Sequence, residues 1–245
     1  MRNVNIMPMA GKGKRFIDYD YKIQKPLIKI NKAPMFVEAS KSMPFSKKNI
    51  FIYRNHNANK INLKSVLPKN LKKYARIIYL KSNTKGQADT CLKAEKYIDI
   101  NDSIFIHSCD CYIEYNKKKY LKLIKKNDVI VFSTKPKKYH FDNLDSFGWI
   151  SGNKNKIKNI ECKKKASEDY RNDYIIVGSF AFRNKFFFKK SIRSLMKKNI
   201  KINSEYYLDL AIKEALLNNF KVYNYVVDKH ISWGTPKEIN FNLKL

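Results

Sequence analysis

Short apolar runs alternate with helical patterns through the first 135 residues, and this alternation constrains the fold more than any other feature of the chain. "VNIMPM" (4–9), "NIFIYR" (49–54), "ARIIYL" (75–80), "DSIFIHSCD" (102–110) and "DVIVFST" (128–134) have the composition and length of buried strands. Between them, "MFVEASKSM" (35–43), a basic stretch over 60–75, "GQADTCLKAEKYI" (86–98) and "KKYLKLIKK" (118–126) carry helical spacing. Strands alternating with helices of about ten residues predict an α/β layered fold with a mainly parallel sheet. Right-handed crossovers then place ligands at the carboxyl ends of the strands.

After residue 145 the pattern changes. "FGWISGNKNKIKNIEC" reads as a hairpin around Gly152-Asn153, and "DYIIVGSFAF" (173–182) as a further strand. A polar helix follows, then "SEYYLDLAIKEALLNN" (204–219) with Ser204 as its predicted N-cap, then "KVYNYVV" (221–227) as the last strand. Neither a repeat nor a Pro- or Gly-rich linker interrupts the chain. One domain over 1–245 is expected, its second half, 136–245, adding a lobe to the first, 1–135.

The net charge of +30 raises the question of a nucleic-acid partner. Only seven of the 51 basic residues are arginine, and the lysines are scattered. A binder of nucleic acid concentrates arginine and aromatics in one patch, so no nucleic-acid partner is expected. Abundant Lys, Asn, Ile, Tyr and Phe point to AT-rich coding, and positive steering suits anionic small substrates. No window has the apolar length of a membrane span, and the N-terminus lacks a signal-peptide core; a cytoplasmic protein without a membrane partner is expected. The four cysteines, Cys91, Cys109, Cys111 and Cys162, form neither a CxxC pair nor a disulfide framework.

Where the first strand ends stands "AGKGKRF" (10–16). Two glycines one residue apart let backbone N–H groups turn toward a ligand, the arrangement of a phosphate-cradling loop. The Walker A spacing is absent, and a dinucleotide loop would need a glycine where Phe16 stands. Arg15 and Lys25 are two cations suited to one triphosphate; the other reading is a basic surface loop in a basic protein.

These residues carry a resemblance. "MPMAGKGKRF…KPLIKINKAPM" is similar to the start of the sugar-phosphate nucleotidyltransferases, including capsule and lipopolysaccharide cytidylyltransferases, at Ala10, Gly11, Gly13, Arg15, Phe16, Lys25, Pro26, Leu27, Pro34 and Met35. Further matches follow in order: Gly86, Gln87 and Ala88 of "TKGQADTCLKA"; Asp110 ending "IFIHSCD"; "KKKAS…IIVGSFAF"; "SEYYLDLAI"; and "ISWGTPKEI". The resemblance implies a three-layer α/β sandwich around a mostly parallel, mixed, Rossmann-like sheet. It also implies transfer of NMP from an NTP to a phosphorylated small molecule, with release of pyrophosphate.

Such a transfer needs positioning and charge neutralisation at the α-phosphate. The resemblance assigns catalysis to Arg15 and Lys25, and the NTP to Ala10, Gly11, Gly13, Arg15, Gly86, Gln87 and Ala88. Lys163, Gly178 and Glu205 fall to the acceptor, and Asp110 to Mg²⁺, the expected cofactor. Two positions depart from the pattern. Cys162 stands where the family has the acid of a Glu-Lys pair, and Ser232 where it has a second metal-binding Asp. Asp228, four residues upstream, is the candidate replacement for that second acid. The missing acid beside the acceptor favours a non-sugar phosphate, phosphocholine-like or amino-acid-derived, and through it CTP. A sugar-1-phosphate uridylyl- or thymidylyltransferase is the alternative. A catalytically silent nucleotide-binding protein, suggested by Ser232, is the alternative of another class. His107 reads as a core histidine, and one of Tyr206 and Tyr207 as core. A monomer or small homo-oligomer is expected.

Overall fold

The computed structural model describes residues 2–19, 21–55 and 61–242. β1 (Asn3–Met9) shows how the apolar runs build two cores at once. Its residues alternate sides, Val4 and Ile6 joining one apolar cluster and Met7 and Met9 the other. The remaining strands are β2 (Lys29–Ile30), β3 (Ala33–Pro34), β4 (Lys48–Arg54), β5 (Ala75–Leu80), β6 (Ser103–His107), β7 (Cys111–Glu114), β8 (Val129–Thr134), β9 (Gly148–Gly152), β10 (Ile157–Cys162), β11 (Tyr174–Phe182), β12 (Val222–Val226) and β13 (Lys229–Ser232).

The main sheet runs β12-β8-β11-β6-β1-β4-β5, with the β9–β10 hairpin joined to the first residues of β11. Pairing is parallel through β6, β1, β4 and β5 and between β8 and β12. β11 runs antiparallel to its neighbours. Helices cover both faces, giving the expected three layers. Gln87–Leu92, Lys185–Lys197 and Leu208–Leu217 bury residues in the first cluster. Met35–Ser40 and Lys117–Lys126 bury theirs in the second.

Local chemistry explains the helices. In Lys185–Lys197 the Asn184 side chain accepts from the Phe186 and Phe187 N–H groups, while Phe188, Ile192 and Leu195 recur at i, i+4 and i+7 and are fully buried. Truncating Phe188 to alanine would cost about 3–5 kcal/mol by cavity formation. Lys117–Lys126 repeats the device, with Asn116 accepting from Lys119 N–H and Tyr120 and Ile124 turned inward.

The helix expected in 60–75 is present but short: the stretch holds a 3-10 turn, Leu63–Val66, and a single turn of α-helix, Lys69–Lys72, and its first residue lies outside the described residues. Three expectations are corrected. The helix expected over 86–98 stops at Leu92, followed by a separate turn Glu95–Tyr97. Ser204 caps nothing: it lies at φ +63, and the helix begins at Leu208 behind Tyr207. The last strand is β13 rather than β12, and it pairs with β7 in a two-stranded ladder.

One detail of β1 opens the sheet. Its ladder with β6 stops at Ile6↔Ile106, whereas its ladder with β4 continues to Met9. Pro8 has no N–H to give and sits beyond the β6 ladder. The carboxyl ends of β1 and β6 therefore part, the place where open α/β sheets bind ligands.

Candidate active site

The chain leaves β1 through Ala10 and turns at Gly13, whose φ of +66° suits glycine and whose carbonyl accepts from Phe16 and Ile17 N–H groups at 2.9 and 3.3 Å. The short helix Lys14–Ile17 puts neighbours on different sides: Phe16 is buried and Arg15 is exposed. A Cβ on Gly11 would meet no atom of the protein within 4 Å, so packing does not demand that glycine.

Lys25 begins the turn Lys25–Leu27, anchored by buried Pro26. Its ammonium lies 5.2 Å from the centre of the Phe16 ring. It donates to Asp110 Oδ2 at 2.5 Å and to the Gly234 carbonyl at 3.2 Å. The two side chains are 19% and 25% exposed, enough to reach a ligand and too little to be well solvated. Burial pushes the Asp110 carboxyl up, but the Lys25 ammonium and the Ser108 hydroxyl, which also donates to it, hold it down at about 2. Burial likewise disfavours the Lys25 charge, and Asp110 more than restores it. Lys25 and Asp110 are thus both ionised at neutral pH, as an ion pair in direct contact.

The β7–β13 ladder completes this end. Trp233 N–H donates to the Asp110 carbonyl at 2.7 Å and brings Gly234 alongside. Asp228 is not part of the cluster, and the expectation that it joins Asp110 is corrected. It is exposed, and its N–H donates to the Glu114 carbonyl, whereas Ser232 pairs with Cys111 at the other end of the ladder. Four residues of extended chain separate the two positions by roughly 13 Å. The acid that does approach is Glu238, in the helix Pro236–Asn242. The point where a Cβ on Gly234 would stand lies 3.0 Å from Glu238 Oε2 and 3.7 Å from Asp110 Oδ2. Spacing alone gave no sign of Glu238; a turn at Gly234 folds it back.

The other groups near Asp110 have internal roles. Burial pushes the Cys109 thiol up to about 12 and the Cys111 thiol well above its ordinary value, so both are held as neutral thiols. His107 is fully buried with one ring nitrogen on Ser179 Oγ and the other on the Cys111 carbonyl. Among the described residues no group of three or more His, Cys, Asp or Glu side chains could hold a metal. Mg²⁺ needs no such cage: it is commonly held by one or two carboxylates and substrate phosphates. Asp110, with Glu238 close by, fits that pattern.

A second cluster forms where the Gly86 segment meets residues 205–209. Gly86 has φ +120°, and a Cβ there would fall 2.5 Å from Tyr206 N and 3.1 Å from Glu205 Cβ. Tyr206 N–H donates to the Lys85 carbonyl and Ala88 N–H to the Tyr206 carbonyl, at 2.8 and 2.9 Å. Gly86, Gln87 and Ala88 are thereby tied to Glu205. Tyr206 is core, 4% exposed, with its hydroxyl on Asn199; Tyr207 is half-buried beside Glu205.

The lysine run divides. Lys164 and Lys165 are exposed and pair with Glu161 and Glu168. Lys163 takes φ +60°, donates its N–H to the Phe147 carbonyl and sets its ammonium 5.2 Å from the centre of the Tyr207 ring. Gly178 sits at the β11 irregularity, where a Cβ would come within 3.0 Å of Ser108 Cβ, and its carbonyl accepts from Ser108 N–H. It links β11 to the Asp110 end.

The nucleotidyl transferase family model matches residues 5–233. The chain belongs to this family. Solved nucleotidyl transferases share its fold at low identity. A nucleoside-diphosphate-sugar pyrophosphorylase from Vibrio cholerae RC9 superposes with TM-score 0.78 at 17% identity, over 99% of this chain and 100% of that one. The inositol-1-phosphate CTP transferase from T. maritima gives 0.71 at 14%, over 99% and 94%. UTP-bound UGPase from Acinetobacter baumannii gives 0.74 at 13%, over 100% and 93%. No curated protein matches significantly.

Proposed function

We propose that the protein transfers NMP from an NTP to a phosphorylated small-molecule acceptor and releases pyrophosphate. The observation that carries this reading is the Lys25–Asp110 ion pair, which joins the turn after the glycine loop to the residues just beyond the carboxyl end of β6 in a nucleotidyl transferase. In this reading the loop Ala10–Gly13 offers backbone N–H groups to the triphosphate, and exposed Arg15 grips its oxygens with a planar set of donors. Lys25 neutralises charge developing at the α-phosphate as pyrophosphate leaves in line. Asp110, with Glu238, would hold Mg²⁺, which supplies further neutralisation when bound. Gly86, Gln87 and Ala88 face the nucleobase. Lys163, Gly178 and Glu205 receive the acceptor. The chain acts as one domain, 1–135 serving the NTP and 136–245 the acceptor.

CTP is the proposed nucleotide and a non-sugar phosphate the proposed acceptor, for an activated precursor of a surface polysaccharide. The support is Cys162 in place of an acid, together with the fold shared with an inositol-1-phosphate CTP transferase. Uridylyl or thymidylyl transfer to a sugar 1-phosphate is the second reading, supported by the UTP-bound neighbour. No described helix is long and apolar enough to cross a membrane, and the proposed setting is the cytoplasm. The test is pyrophosphate release with Mg²⁺ across the common NTPs and a panel of sugar 1-phosphates, phosphocholine and amino-acid-derived phosphates. Release that requires one NTP and one acceptor is the expected result. Tight NTP binding with no release for any pair would point to a silent binding protein.

A further inference from the structure

The β9–β10 hairpin pairs Cys162 directly with Gly148. Above that pair lies the carboxylate of Asp209, from the first turn of the helix Leu208–Leu217. A Cβ on Gly148 would fall 2.3 Å from Asp209 Oδ2, so the missing side chain at 148 is what admits this carboxylate. The Cys162 thiol donates to it. Lys163 follows Cys162 in the chain, and Tyr207, under the Lys163 ammonium, precedes Asp209 by two residues.

Asp209 differs from most of the chain's inward-facing acids; Asp173, also buried and without an ion pair, has the Ser167 hydroxyl as its donor. Asp89, Asp102, Glu161 and Glu214 each have a lysine nitrogen, at 3.1, 2.9, 2.5 and 2.8 Å. Asp209 is half-buried in a chain of net charge +30 and has no lysine or arginine within ion-pair distance among the described residues. Its one side-chain partner is a thiol, a weak donor. An acid so placed lacks the donor its carboxylate calls for.

We infer that Asp209 binds the acceptor's head group, taking a positively polarised group, a hydroxyl or an ammonium, while Lys163 takes the acceptor's phosphate. The inference rests on the proposed transfer reaction. Cys162 then marks a relocated acid rather than a lost one: the carboxylate comes from the helix facing the hairpin instead of from the hairpin itself. Burial pushes the Asp209 carboxyl up to about 6, as expected of an acid still short of a strong partner.

The test is steady-state kinetics of Asp209→Asn and Asp209→Ala with the acceptor and NTP that the wild type uses, chosen from phosphocholine, phosphoethanolamine and sugar 1-phosphates. Both variants are checked by thermal melting and by calorimetric NTP affinity. The expected result is an acceptor KM raised about tenfold or more by Asp209→Ala, with NTP affinity changed less than about twofold. If the group is a hydroxyl, Asp209→Asn keeps an accepting oxygen and loses far less than Ala. If it is an ammonium, Asn loses about as much as Ala, because the charge is gone. Transfer by the wild type with acceptor KM unmoved in both folded variants overturns this inference and leaves the reaction standing. No transfer by the wild type with any pair overturns both.

Discussion

The two ends of the site hold their charges in opposite ways. At the β1–β6 end, Lys25 and Asp110 are matched at 2.5 Å, with Ser108 and the Gly234 carbonyl completing the set. At the hairpin end, Lys163 lies over an aromatic ring and Asp209 has only a thiol. A matched pair is preorganised: its geometry survives without substrate, and a polyphosphate with its cation has only to exchange partners with it. Unmatched groups await a ligand that brings its own complementary charges. The first arrangement suits a part common to every substrate; the second suits the part that distinguishes one acceptor from another.

The largest effect should come from breaking the matched end. Asp110→Ala and Arg15→Ala are expected to lower kcat on the order of 10²-fold or more, measured by pyrophosphate release. Asp228→Ala, at the far end of the β7–β13 ladder, should change neither rate nor Mg²⁺ dependence by more than about twofold. An Asp228 effect as large as that of Asp110 would contradict the geometry described for that ladder.

A smaller effect is expected where the two ends are stitched together. Gly86→Ala would force a Cβ to within 2.5 Å of Tyr206 N at a backbone angle that side chains rarely adopt. A loss of about 2 kcal/mol or more in chemical denaturation is expected. The affinities for nucleotide and acceptor should fall together, since one pair of backbone hydrogen bonds positions both segments. A fall in only one affinity would separate them.

The smallest effect sharpens the unmatched end. The Asp209 carboxyl is raised from its ordinary value to about 6 by burial, so the folded protein takes up its proton before the unfolded chain does. Its contribution to stability is fully present below the unfolded value near 4 and is lost as pH rises through about 6. Wild-type Tm, compared with that of Asp209→Asn, should gain about 2–4 °C between pH 7 and pH 5. Parallel curves for the two proteins would show that the site does not perturb Asp209.

Legibility followed the same division. The central strands of the first half, β1, β4 and β6, were readable because they are buried on both faces and so nearly apolar throughout; edge strand β5, with Arg76 and Tyr79 exposed, was readable from its apolar run Ile77-Ile78 and its length. The Gly-x-Gly turn and Asp110 stood out because they follow the ends of β1 and β6 in a resembling pattern, and Lys25 stood out through that pattern alone. The charges of the second half were harder to read. Lys163 was set apart from Lys164 and Lys165 in the sequence by the resemblance alone; its positive φ and the ring of Tyr207 distinguish it physically. Asp209 drew no reading in the sequence, because nothing local reports that a glycine on another strand stands under it. Glu238 and Asp228 exchanged places for a similar reason. Counting along a strand kept Asp228 on the face of Ser232 but not near it, since the extended chain carries it to the far end of the ladder, whereas the bend at Gly234 brings Glu238 close.

The Lys25–Gly234 hydrogen bond joins residues 209 positions apart. A ribosome making this chain has finished β1, the glycine turn and Lys25 long before the segment that completes their site exists. Until Gly234 has emerged, Lys25 lacks one of its two oxygen partners and the Asp110 carbonyl lacks Trp233. The full set of contacts around Lys25 and Asp110 therefore exists only once residues 233 and 234 have been made and folded back onto strands laid down near the start of the chain.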